Sequence, residues 1–93
     1  VLPVVLVSRV MLENEGLPLD LFEIKARVRS LIDHLTQQGA PIYYPKHNFE
    51  KYIEMSLEMM KMRHMLLYSE QSIQANPEMT DILSYYANSI SHW

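Results

Sequence analysis

Six aliphatic residues, Leu21, Ile24, Val28, Leu31, Ile32 and Leu35, recur three or four positions apart, and this spacing predicts an amphipathic helix over 21–38 with one apolar stripe. That stripe must be buried, so the rest of the chain has to supply its cover. Asp20 stands three residues before Glu23 as an N-cap, and Gly39 is placed to end the helix in a left-handed cap. The opposite face carries Lys25, Arg29, Asp33 and Gln37 toward solvent or a partner. With 93 residues in all, the chain makes a single domain whose small core is marginal unless well packed or docked on something larger.

Cover for the stripe comes from three further segments. Leu2, Val5, Leu6, Val10 and Met11 form a helical stripe over 2–14, with Pro3 tolerated in the first turn and Ser8, Arg9, Glu13 and Asn14 on a partly polar face. Gly16, Leu17 and Pro18 break the chain. A third helix starts at the N-cap Asn48 and places Phe49, Tyr52, Ile53, Leu57 and Met60 on one face, ending near Lys61 or Arg63. Residues 40–45 (APIYYP) are held extended by two prolines, as a connector or a short edge strand. Residues 65–68 and 72–75 are short extended runs around the polar turn Ser69, Glu70, Gln71, a pattern that predicts a small hairpin. Asn76 then caps a last helix with Pro77 in its first turn and with Glu78 and Asp81 near its positive end. Its stripe is Met79, Ile82, Leu83, Tyr86, Ile90 and Trp93, and the pattern runs on past the last residue.

Several functional classes are excluded by composition. Hydrophobic residues at 48% and charged ones at 20% rule out a disordered chain, and the absence of Cys removes disulfides, thiolate metal sites and cysteine nucleophiles. A formal charge of −3 and a pI near 5.7 argue against nucleic acid as a partner. Arg9 and Glu13 interrupt the opening apolar run well short of the ~20 residues of a bilayer-spanning helix, so the segment is expected to be soluble. The opening lacks the basic region and cleavage site of a signal peptide. A start at Val1 and a stop at Trp93 inside a helical pattern suggest a piece of a longer protein.

Chemistry-bearing residues form no complete site. No two of His34, His47, His64 and His92 have the i, i+4 spacing of a helical metal pair, so neither metal nor cofactor is expected. His92, in a late helical turn, suits the negative end of a helix dipole. The serines lack a Gly-x-Ser-x-Gly turn, and two glycines are too few for a phosphate-cradling loop. Glu54 and Glu58, four apart, read as a solvated face rather than an acid–base pair. The methionines at 55, 59, 60, 62 and 65 are read mainly as core filler, and Lys25, Arg27 and Arg29, flanked by Glu23 and Asp33, as a mixed surface.

One pattern goes beyond packing. Residues 84–93 set Tyr85, Asn88, Ser89 and His92 along one side of the last helix and Tyr86, Ile90 and Trp93 along another. Asn and Ser inside a helix are poor for propensity, so this polar side is expected to be buried against something that satisfies it. The run LSYYANSISHW closely resembles the Tyr-Tyr-x-Asn-x-Ile-x-His helix in the C-terminal region of glycerol-3-phosphate acyltransferases. Residues 4–44 resemble the family's preceding helix, polar turn and leucine-spaced helix ending in Gly. The order from Phe49 through the 66–75 hairpin to Asn76, Pro77 and Glu78 is also similar.

The resemblance implies a parent enzyme, associated with a membrane surface, that moves an acyl group from acyl-CoA or acyl-carrier protein to the 1-position of glycerol 3-phosphate in phospholipid synthesis. In that family a His-x4-Asp motif performs the chemistry. Five residues after His34, His47 and His64 stand Gly39, Tyr52 and Ser69, so no catalytic residue is carried over and the catalytic domain is expected upstream, as the partner of this segment. Tyr85, Tyr86, Asn88, Ile90 and His92 match the family helix and take a packing or interdomain role. The expected fold is mainly α, with four helices and one small β-hairpin in a winged-helix-like order. The alternative function is a winged-helix module that binds nucleic acid or a protein, with 65–75 as its wing. A third is a small helical adaptor that uses its Met-rich face.

Overall fold

A computed structural model describes residues 2–15, 17–40 and 48–90. Four α-helices and one hairpin follow in order: α1 (Pro3–Glu13), α2 (Leu21–Gln37), α3 (Phe49–Met62), β1 (Leu66–Ser69), β2 (Ser72–Ala75) and α4 (Thr80–Asn88), with a 3-10 turn at Pro77–Met79 before α4. This is the mainly α architecture expected from periodicity. The 40–45 connector lies, beyond Ala40, outside the described residues.

The first helix departs from its expected stripe. Leu6, Val7, Ser8 and Met11 are fully buried, Val4, Val5 and Val10 nearly so, and α2, α3, α4 and β2 all pack against α1. A helix apolar on almost every side belongs at the centre of a fold rather than at its surface. Ser8, assigned to a polar face, therefore lies in the core, while Leu2, assigned to the stripe, is exposed. Among the described residues the Ser8 hydroxyl has no hydrogen-bond partner, a burial that costs about 1–3 kcal/mol and that the surrounding valines and leucines offset.

The other helices bury most of their stripes. Ile24, Val28 and Leu35 of α2 and Ile53, Leu57 and Met60 of α3 are in the core, whereas Leu21, Tyr52 and Ile82 are about 40% exposed. Tyr52 and Ile82 lie a step of about 100° round the helix from the buried Ile53 and Leu83, and Leu21 is the first residue of α2.

Caps fix where the helices start and stop. Asp20 accepts a hydrogen bond from Glu23 N at 2.7 Å, as the sequence predicts. Asn48 stands at the start of α3 without a side-chain cap bond. At the end of α2, Gly39 takes φ +86°, and the bonds from Gly39 N to Thr36 O and from Ala40 N to Leu35 O close a Schellman motif. The same two bonds end α3, from His64 N to Lys61 O and from Met65 N to Met60 O, but there the left-handed residue is His64 at φ 59°. No glycine marks this corner, so the sequence gives little sign of it.

Asn76 ties that corner to the rest. Its side-chain amide donates to His64 O at 2.7 Å, its Oδ1 accepts from Glu78 N at 3.0 Å, and its backbone N donates to Met65 O at 3.0 Å. One buried side chain thus joins the end of α3 to the entry of α4. Between them, β1 pairs antiparallel with β2 in the register Leu66 to Ala75 through Ser69 to Ser72, and Ser69 and Ser72 share a 2.7 Å hydroxyl contact across the turn. Leu19, in the α1–α2 connector, exchanges backbone bonds of 2.8 and 2.7 Å with Ile73, adding a one-residue strand to the outer edge of β2. Helix, short strand, two helices and a hairpin give the winged-helix-like order.

Two further expectations about the last segment are corrected. Pro77 opens a 3-10 turn rather than the α-helix, because Asn76 caps at Glu78 and Thr80 Oγ1 bonds back to Pro77 O. Among the described residues α4 ends at Asn88 rather than running on through Ile90, since Ser89 N and Ile90 N bond three residues back, to Tyr86 O and Ala87 O, and the rest of the expected helix lies outside the described residues. Replacing Asn76→Ala should lower stability by about 2 kcal/mol, read from chemical denaturation, because two side-chain bonds are lost and the His64 carbonyl is left short of a donor. His64→Gly should raise stability by about 1 kcal/mol in the same measurement, since glycine takes a positive φ without strain.

Candidate functional site

Two surfaces qualify as candidate sites. The first is the exposed side of α4. Leu83, Ala87 and Ile90 face the core and Tyr86 packs partly against it, while Tyr85 is 74% exposed and Asn88 and Ser89 lie at the surface. The predicted division of this segment into two sides therefore holds from Tyr85 to Ile90; His92 and Trp93 lie outside the described residues. Tyr85 stands edge-on to Tyr86, with ring centroids 5.6 Å apart.

The polar side needs no buried partner to satisfy Ser89. Its Oγ donates to Tyr86 O at 2.7 Å, and it sits at the helix C-cap, where the propensity cost of an interior serine does not apply. Asn88, at the last helical position, is likewise free of that cost. What the α4 surface does present is Tyr85 with Ile82, 41% exposed, one turn earlier. An aromatic ring and an aliphatic chain held outward on a core-anchored helix suit contact with another protein surface.

The second surface lies between α3 and the hairpin. Its floor is a cavity of about 290 Å³ whose mainly apolar walls include Leu21, Leu57, Tyr68 and Ile73, with Glu58 and Glu70 also lining it. Glu54 lines it too, but its charge is taken up by Lys25 at 2.7 Å. Lys25 lies 3.9 Å from Glu50, and Arg29 lies 3.5 Å from the same carboxylate and over the Phe49 ring at 4.5 Å. The basic group on α2 therefore serves contacts to α3 rather than a free phosphate-binding face. Arg27 lines a separate groove between α1 and α2, with Ser30 and His34.

Sequence reasoning missed this second surface. Its signal was the run Glu50, Glu54, Glu58, because like charges four apart destabilise a helix unless cations from elsewhere meet them. Lys25 and Arg29 meet the first two. Glu58 makes no ion pair among the described residues and lies close enough to Tyr68 to act on it. Tyr68 is held protonated above its usual pKa near 10, first by burial and then by the Glu58 charge.

Other candidate chemistry disperses. Met60 and Met65 are buried and Met59 partly so, but Met55 and Met62 are exposed, so the cluster divides between core and surface. His34 and His64 are both exposed, on α2 and at the α3 corner; His47 lies outside the described residues. Among the described residues no group of three His, Asp or Glu could hold a metal ion, and no serine hydroxyl bonds a histidine or carboxylate. Among them, too, no helix is long and apolar enough to cross a membrane.

Comparison with family models, with curated proteins and with solved structures finds no match to this chain. The raised Tyr68 pKa has a consequence at high pH. In the unfolded chain Tyr68 ionises near its usual pKa of 10, below its folded value, so its contribution to stability is complete below about pH 10 and is lost as pH rises through the folded pKa. Tyr68→Phe should flatten the fall in melting temperature as pH rises above about 10, relative to the parent chain.

Proposed function

We propose that this chain is the non-catalytic C-terminal domain of a glycerol-3-phosphate 1-O-acyltransferase, docked by α4 onto the catalytic domain of the same enzyme. The observation that carries the reading is the SYYANSISHW segment, whose family-like positions divide by burial. Tyr86 and Ile90 anchor the helix to the core, and Tyr85 and Asn88 are turned outward. An outward Tyr85 is a large contact surface that fixes little side-chain entropy on docking. The parent enzyme acts at a membrane surface on acyl-CoA or acyl-carrier protein, and the domain contributes stability and orientation rather than chemistry.

A second reading has one observation in its favour. The isolated Leu19–Ile73 bridge sets a third segment against the two-stranded hairpin, which is similar to the wing of a winged-helix module. Duplex nucleic acid is a poor partner for it, because Glu50, Glu54, Glu58 and Glu70 stand on α3 and at the hairpin while Lys25 and Arg29 are engaged with α3 carboxylates. Salt-dependent binding to duplex DNA would favour the module over the acyltransferase domain.

The test is enzymatic. The gene upstream of Val1 should encode a His-x4-Asp motif, and the 93-residue chain alone should transfer no acyl group to glycerol 3-phosphate. In the full-length enzyme, replacing Asn88 and His92 together by Leu should lower acyltransferase activity or the melting temperature. A tenfold loss of activity would correspond to ~1.4 kcal/mol. Unchanged activity and melting temperature, or turnover by the isolated chain, would overturn the proposal.

A further inference from the structure

We propose that the groove between α3 and the hairpin docks a basic segment of a partner protein, seating one Arg or Lys with its aliphatic stem on Leu57, Tyr68 and Ile73 and its charge at Glu58 and Glu70. The argument rests on size, wall chemistry and charge.

A cavity of about 290 Å³ lies at the lower edge of the range for small-molecule sites, which suits one or two side chains better than a bulky cofactor. Apolar walls with carboxylates beside them match a side chain that is apolar along its stem and cationic at its tip. Rigid elements hold the walls. Leu57 is buried in the body of α3, Ile73 is pinned by its pairing with Tyr68 and with Leu19, and Leu21 opens α2 behind a capped N-terminus.

Charge selects the occupant. Of the three glutamates at the groove, Glu54 is matched by Lys25, whereas among the described residues no cation lies within 4.0 Å of Glu58 or Glu70. Lys61, one turn beyond Glu58, is directed over the Tyr68 ring, 4.8 Å from its centroid, instead of pairing with a carboxylate. Two unmatched carboxylates beside an apolar floor favour a cationic guest and repel an acidic one. A protein segment fits better than a free polyamine, because the apolar walls reward the hydrocarbon that flanks the charge in a folded or extended peptide. The site uses no residue of α4, so it stands or falls separately from the acyltransferase reading.

The experiment titrates the 15N-labelled 93-residue chain with the peptide Ac-Leu-Arg-Leu-Lys-Arg-Leu-NH2, with its Glu-substituted counterpart, and with spermidine. Amide shifts at Leu57, Tyr68 and Ile73 should saturate with the basic peptide alone. Affinity should fall about tenfold in the E58Q/E70Q double variant, and also in high salt, as expected for two partly exposed ion pairs. An unchanged spectrum of the free double variant would show that its fold is intact. Lack of saturation, equal binding by the double variant, equal binding of the acidic peptide, or spermidine binding as tight as the peptide would overturn the proposal.

Discussion

The enclosure of α1 is the constraint on which the other elements depend. Leu6, Val7, Ser8 and Met11 are cut off completely from solvent, and α2, α3, α4 and β2 supply the walls. An 11-residue helix with valines on successive faces has no side that water can occupy, so each later element has to find a place around it. The small core is therefore radial rather than layered. Its energetic weight falls on a few aliphatic side chains, which is how 93 residues bury enough apolar surface to fold. It also explains why Ser8 is kept among apolar neighbours without a hydrogen-bond partner among the described residues, since no rotation of α1 exposes it without exposing leucine or valine.

Around that centre, the positions of the two candidate surfaces are set by small polar contacts. The left-handed turn at His64 stops α3 and redirects the chain into β1, and Asn76 holds the turn from the far end of the hairpin. The groove wall and the start of α4 are thus fixed by one residue. Leu19 does the same for β2 from the opposite edge. A hairpin this short has little stability of its own; flanked by these contacts, it becomes a rigid wall.

Electrostatics separates the two surfaces by kind. Lys25 and Arg29 cross from α2 to the glutamates of α3, so the cations that looked available to an anionic partner are engaged inside the domain. Of the α3 glutamates, Glu58 at the hairpin end is the one without an ion pair among the described residues, while the outward side of α4 carries Tyr85 and Ile82. The groove thus offers carboxylates beside apolar walls and the α4 surface offers apolar and aromatic area, and these different chemistries are what the two proposals rest on.

The sequence by itself determined the local structure. The apolar spacings of 21–35 and 49–60, the caps at Asp20 and Asn76 and the Gly39 terminus each reflect interactions among residues close in the chain, so they were legible without a fold. The division of Tyr85 from Tyr86 was legible for the same reason, being a matter of helical phase. Only the tertiary structure decided that α1 is central, that Ser8 is buried, that Leu21, Tyr52 and Ile82 fall outside the core, and that among the described residues α4 ends at Asn88. It alone brought Lys25 to Glu54 and Tyr68 to Glu58, pairs separated by 29 and 10 positions. The physical reason is that periodicity records which side of an element is apolar, whereas burial and charge matching depend on which other element arrives there.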